Sequence, residues 1–205
     1  MWYGFLLSGI LLGVVEGYKP GPLTTVVITQ TLKHDWKSGL KVALSPLLTD
    51  GPIILLCAFI YRSLSEYSIA ISILSIAGGL FLVWLAYDTA FRTSTEFQSD
   101  IEKDDDSLKR GVITNILNPN PWTYWALIGA PFLINAWGIA YWMPLLFLIG
   151  FFTCLIGAKI SVAYLTGYGS NFLQGNNYKI LMYFCSVTLL IFAAIFFMNA
   201  LDALV

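Results

Sequence analysis

Six apolar runs, each long enough to cross a bilayer as a helix, decide most of what this chain can fold into. They cover residues 2–32, 38–61, 68–91, 111–134, 141–166 and 178–201. A hydrocarbon core of roughly 30 Å takes about 20 helical residues. Spanning β-strands are short and alternate apolar with polar residues, whereas these runs are apolar all round. With 58% hydrophobic and only 11% charged residues, the chain falls well below the roughly one-quarter charge of soluble domains. One core of this size cannot hide so much apolar surface. The fold class expected is all-α integral membrane, with six transmembrane helices.

Other readings fall away on composition. A net charge of -1 supplies no basic field for nucleic acid. The first run has no Lys or Arg before Lys19 and continues to Leu32. A cleavable signal has a basic start and a shorter apolar core, so this run reads as a retained membrane helix. Cys57, Cys154 and Cys185 are far apart and lie in apolar runs, which suits small buried hydrophobes better than a disulfide framework. His34 is the single histidine. A soft-metal site is not expected, and no cofactor is implied.

Most connections are short. The exception is residues 92–110, a charge-dense stretch that divides the chain into a three-helix block over 1–91 and another over 111–205. Its Asp104-Asp105-Asp106 run reads as a solvated loop. Lys33, Lys37, Lys41, Arg92, Lys103, Lys109, Arg110 and Lys179 fall on the side of that connection, and Arg62 alone falls opposite. The positive-inside rule therefore puts loop 92–110 in the cytoplasm and both termini outside. A cysteine introduced at either terminus should react only with reagent added outside the cell; labelling from the cytoplasm would overturn this orientation.

The first run is too long for one simple helix. Its thirty-one residues would reach about 46 Å at 1.5 Å each, and Pro20-Gly21-Pro22 interrupts it. Neither proline donates to the helix ladder, and each ring clashes with the carbonyl four residues back. Carbonyls near Glu16 to Tyr18 lose their partners, and the NH groups of Leu23, Thr24 and Thr25 open a new half-helix. The fourth run carries a matching break at Asn118-Pro119-Asn120-Pro121, after which Trp122 and Thr123 are expected to restart the helix. Three spans are an odd number, so the second block enters the membrane with opposite orientation. The expected architecture is two inverted three-helix repeats with broken helices 1 and 4. Such an arrangement puts transporter sites near the midplane, between discontinuous helices.

Glu16, Lys19, Asp50 and Lys159 fall inside apolar runs, at a cost of about 2.5 kcal/mol or more each at the bilayer centre unless paired or wet. Glu16 and Lys19 are three apart, so they share a helix face and can pair. Asp50 sits between Pro46 and Pro52 and is the strongest functional candidate. Lys159 lies near the end of its run, within reach of the interface. Asp88 reads as a solvated helix end. Gly78-Gly79 and Gly157-Ala158 read as sites of close helix packing, and the many Trp and Tyr residues as interface anchors and packing. A half-helix N-terminus suits a carboxylate; Asp50 or Glu16 suits an ammonium group. Together they are complementary to a zwitterionic amino acid. Buried carboxylates also carry protons, which makes Asp50 and Glu16 the candidate proton-coupling residues. The candidate substrate-binding set is Glu16, Pro20, Gly21, Pro22, Thr24, Asp50, Asn118, Pro119, Asn120 and Lys159.

At these residues the sequence resembles the lysine exporter (LysE/RhtB) family of amino-acid exporters. The matching pieces are Lys19-Pro20-Gly21-Pro22, the stretch from Ser45-Pro46 to Thr49-Asp50-Gly51-Pro52, Gly78-Gly79-Leu80, and Lys109-Arg110-Gly111 leading to Asn118-Pro119-Asn120-Pro121. The resemblance implies a multi-pass protein of a bacterial or archaeal cytoplasmic membrane. It implies export of amino acids or related metabolites, driven by the proton gradient, and it carries function onto Pro20, Gly21, Pro22, Asp50, Asn118 and Pro119. A homodimer is an assembly open to such a small transporter. Some glycines usual in the family between helices 1 and 2 are replaced: Gly39 remains, but Ala43 and Ser45-Pro46 occupy the later stretch. The rival reading is a metal-cation efflux protein or channel using Glu16 and Asp50. A thiol-disulfide carrier needs an intramembrane cysteine pair, which the sequence lacks. An enzyme ranks last, because no Ser/His or acid/His pair falls within a membrane run.

Overall fold

The structure, a computed structural model, describes residues 2–64, 68–91, 106–167 and 176–202. Arg92, Lys103, Asp104 and Asp105 of the polar connection lie outside the described residues, as do the side chains of Asp88, Lys179 and Cys185. Every regular element among the described residues is helical: α1 Trp2–Tyr18, α2 Pro22–Lys33, α3 Trp36–Ala43, α4 Ser45–Leu64, α5 Ser68–Phe91, α6 Ser107–Leu117, α7 Pro119–Tyr124, a π-helical turn Trp125–Gly129, α8 Ala130–Ile139, α9 Met143–Gly167 and α10 Asn176–Asp202.

Helix falls within each of the six apolar runs. Two helical stretches, Trp36–Ser63 across α3 and α4 and Met143–Gly167, are long and apolar enough by themselves to cross a membrane. Tyr3–Tyr18, Ser75–Trp84 and Ser186–Met198 are shorter apolar stretches. The outer surface carries many large apolar side chains; Leu55, Phe59, Ile69, Leu117 and Tyr141 are each more than two-thirds exposed. A soluble monomer rarely leaves so broad an apolar surface open.

The helices approach closely where the sequence supplies small residues. Gly9, Gly13 and Gly17, four apart on α1, form a strip against α9, and a Cβ at Gly9 or Gly13 would overlap the Phe147 or Phe151 carbonyl. Gly150 of α9 returns the contact to Leu6 and Ile10. This small-xxx-small seam makes α1 on α9 the most extensive packing in the molecule, followed by α5 on α10. Gly78 and Gly79 of α5 lie against Phe196 and Phe197 of α10, so they do serve close packing. Ala158 also packs, against Gly17, but Gly157 faces open space. Further contacts join α4 to α6, the π-turn and α8; α2 to α3 and α6; α3 to α9; and α8 to α9.

Between α2 and α3 the chain turns sharply, and Asp35 caps α3 by accepting from the Ser38 amide at 2.8 Å. That backbone hydrogen bond holds the Asp35 carboxyl below its ordinary pKa. Gly39 then sits against Thr31, Val27 and Ala163, which closes the α2–α3 hairpin onto α9. The polar connection is shorter than its composition suggests: Ser107 to Arg110 already belong to α6, behind Asp106. Ser107 Oγ donates to Gln30 Oε1 at 3.0 Å, a buried bond that the charge-dense neighbourhood hides from a sequence reading.

Candidate functional site

The two breaks predicted by proline form differently. In the first, α1 ends at Tyr18 and α2 begins at Pro22. The lost i→i+4 partners can be counted. Glu16 O would need an NH from Pro20, Tyr18 O one from Pro22, and neither proline has one. Gly17 O and Lys19 O lose theirs because the chain leaves the helix. Lys159 Nζ, from α9, donates to Glu16 O at 3.5 Å, Gly17 O at 3.2 Å and Thr24 Oγ1 at 3.0 Å. Thr24 Oγ1 donates in turn to Lys19 O at 2.8 Å. Three of the four freed carbonyls are thus taken by two side chains. Lys159 does not snorkel to the interface: it is 4% exposed and faces inward.

At α2 the Thr25 NH is already bonded to Gly21 O at 2.9 Å. Only Leu23 and Thr24 remain as orphan donors of the first turn, and no side chain caps them. The second break is a single residue, Asn118, between α6 and α7. The new half-helix starts at Pro119, not at Trp122 as expected, because proline is pre-set for the first helical position. Asn118 Oδ1 accepts from the Asn120 NH at 3.1 Å, so this N-terminus carries its own cap. The two half-helix N-termini are therefore not equivalent, and only α2 is left uncapped.

Asp50, in α4 and 4% exposed, ties the segments together. Its Oδ1 accepts from Asn115 Nδ2 of α6 at 2.7 Å and lies 3.2 Å from Thr49 Oγ1. Its Oδ2 accepts from Trp125 Nε1 at 3.1 Å. Pro52 sits inside α4 two residues on without ending the helix. Trp125 is the first residue of the π-turn. Pro131 cannot donate to the Leu127 carbonyl, and the ladder widens just before it, with the Ala130 NH on Trp125 O. The indole folds over Gly129, where any Cβ would strike the ring.

These pieces surround a cavity of about 50 Å³. It is lined by Glu16, Lys19, Gly21, Pro22, Leu23 and Thr24 of the first break, Pro46 and Asp50 of α4, and Asn115, Asn118, Asn120 and Pro121 of the second break. Tyr124, Trp125, Phe151, Leu155 and Lys159 complete the wall. The cavity brings together every candidate from the sequence except Pro20, in the first break, and Pro119, at the start of α7, neither of which is among the lining residues. At about 10–15 Å³ per water position, it holds a few waters. Glu16 and Lys19 pair at 3.2 Å, as their spacing predicts. Among the described residues no three His, Cys, Asp or Glu side chains form a group able to hold a metal.

Three lining residues have no counterpart in the sequence reading: Asn115, Phe151 and Leu155. Tyr124 and Trp125, read there as packing or anchors, are also wall residues. The Tyr124 hydroxyl is buried without a hydrogen-bond partner among the described residues. Its ring stacks on Phe151 at 5.2 Å and meets Trp125 edge-on at 5.4 Å. Position relative to the second break was the available signal, since Tyr124 and Trp125 follow Asn118 by less than two turns.

Comparison with curated proteins gives no match, and neither does comparison with solved structures. A family model does match, over residues 17–200, and its match takes in both breaks, the Asp50 cluster and Lys159. A membrane-type apolar surface and two proline-broken helices meeting over buried charge are compatible with that match, and the chain belongs to the LysE type translocator family.

Proposed function

We propose that this translocator exports amino acids or related small zwitterionic metabolites across the cytoplasmic membrane by proton antiport. The observation that carries the reading is the meeting of both broken helices around one cavity that contains two acids and two bases. A substrate carboxylate finds the Leu23 and Thr24 amides of α2 and the Lys19 ammonium. An ammonium group finds Glu16. The unpartnered Tyr124 hydroxyl is a further donor or acceptor for the bound molecule or its waters.

The repeat reading has support in the packing. Exchanging run 1 with 4, 2 with 5 and 3 with 6 leaves the main contacts unchanged. Run 1 on 5 becomes 4 on 2, run 1 on 2 becomes 4 on 5, and 3 on 6 maps to itself. The symmetry is approximate, because 17 helical residues precede the first break and 11 the second. Those lengths are about 25 Å and 16 Å.

Proton coupling has a concrete route at Asp50. As a carboxylate it only accepts, and the side-chain NH donors of Asn115 and Trp125 point at it from the fourth run. Protonation removes the charge and turns one oxygen into a hydroxyl, a donor and a poorer acceptor, so these ties weaken. The charge state of α4 thereby controls its hold on the second broken helix. The metal-cation rival has less support, since among the described residues neither acid belongs to a group of three His, Cys, Asp or Glu side chains.

Radiolabelled amino-acid efflux from cells expressing the protein tests the reading. Efflux above that of control cells, collapsing with the proton gradient, is the expected result. Efflux that ignores the pH gradient in vesicles removes the antiport, and metal efflux with no effect of amino acids removes the substrate class.

A further inference from the structure

The oxygen cluster around Lys159 has the composition of a monovalent-cation site. Two of its members are backbone carbonyls at the C-terminal end of α1, where the helix dipole is negative. The third is the Thr24 hydroxyl of α2. The cluster is buried, spans the break, and is made of neutral oxygens of the kind that bind coupling cations at unwound helices. Its occupant is an ammonium group delivered from α9 on a side chain that is itself 4% exposed. Glu16, the nearest acid along α1, is engaged by Lys19, so the ammonium is held by the break and not by an ion pair.

We infer that Lys159 is a tethered cation filling a monovalent-cation site built by the broken first helix, so that the protein needs no free alkali ion there. In this role Lys159 is a positioning residue: it fixes α1 against α2 and leaves the α2 N-terminus open toward the cavity. A plain packing role predicts that shortening the side chain destabilises the protein irrespective of the salt present. A tethered cation predicts more: the vacated oxygens accept a free ion in its place. The inference concerns the wall of the proposed substrate site but does not require any substrate to be known.

The test is thermal unfolding of the purified, detergent-solubilised full chain in sodium, potassium or N-methyl-D-glucamine chloride at equal ionic strength. Lys159→Ala and Lys159→Met are compared with the unaltered protein. The unaltered protein should show the same Tm in all three salts. Both variants should melt lower in N-methyl-D-glucamine and recover several degrees in sodium or potassium, as binding to the folded state alone requires. Adding Thr24→Ala to Lys159→Ala should remove most of that recovery. The inference is overturned if both variants ignore the alkali ions, if the unaltered protein responds as strongly as the variants, or if the double variant keeps the full recovery. Variants that aggregate in every salt also count against it, since a rebuilt site would rescue them in sodium or potassium. Because the readout is a melting temperature, failure here stays separate from failure of the export reading, which efflux assays decide.

Discussion

Asp50→Asn should cut amino-acid efflux by about ten- to a hundredfold and leave what remains insensitive to the proton gradient. The carboxylate accepts hydrogen bonds from two neutral donors on the fourth run, Asn115 at 2.7 Å and Trp125 at 3.1 Å. A carboxamide keeps one oxygen acceptor, but its other end is an NH₂. Toward the indole NH that group meets donor with donor; toward Asn115 it makes that amide turn over and give up its Nδ2 bond to Thr49. A hydrogen bond to a charged group contributes about 1.5–3 kcal/mol, and a buried donor left unmet costs about 1–3 kcal/mol. Either figure corresponds to the stated range of rate. Asp50→Asn also resembles the protonated acid permanently, so it should disconnect the α4 tie without emptying the cavity. Efflux equal to that of the unaltered protein, at equal expression, would falsify the role given to Asp50. Trp125→Phe is the companion change. It keeps an aromatic ring over Gly129 and removes only the indole donor, so a smaller loss in the same direction is expected.

The second large effect is on folding. Gly13→Val should lower stability by about 3 kcal/mol or more, at or beyond the upper end of ordinary overpacking. The added Cβ meets the Phe151 carbonyl and Cα, which are backbone and cannot rotate away. Helix α1 must then lift from α9 along the seam that also holds Gly9 and Gly17, and Phe151 and Leu155 on the same face line the cavity. Loss of monodisperse protein after solubilisation, or a Tm lower by many degrees, is the measurable result. Gly157→Val is the control, on α9 where open space surrounds the glycine; it should leave yield and Tm within error. Similar behaviour of the two variants would show that the seam does not set stability.

Much of the architecture was legible in the chain. Hydropathy located helix in every run, and segment 68–91 coincides with α5. Proline chemistry located both breaks. It missed where the second half-helix restarts, because a proline at the first helical position looks in sequence like part of the interruption. It also read 107–110 as loop, since Lys109 and Arg110 look solvated although Ser107 and Gly111 are buried. The Glu16–Lys19 pair was legible because three residues on a helix fix a shared face. Lys159 was legible as an intramembrane charge and a candidate wall residue, but its partners were not, because nothing in its own neighbourhood says that the broken helix lies opposite it.

By itself, the sequence determined the elements and their interruptions: which runs are apolar, where the ladder must fail, and which carbonyls must find other donors. These follow from covalent facts about proline and from the cost of bare polar groups in lipid, and both act within a few residues. Only the tertiary structure decided what meets those freed groups. Lys159 reaches the first break from α9, and Asn115 and Trp125 hold Asp50 across more than sixty residues of chain. Such partnerships depend on glycine seams that set how closely helices approach and on a π-turn that aims one indole. They are properties of packing between distant segments, and no local spacing encodes them.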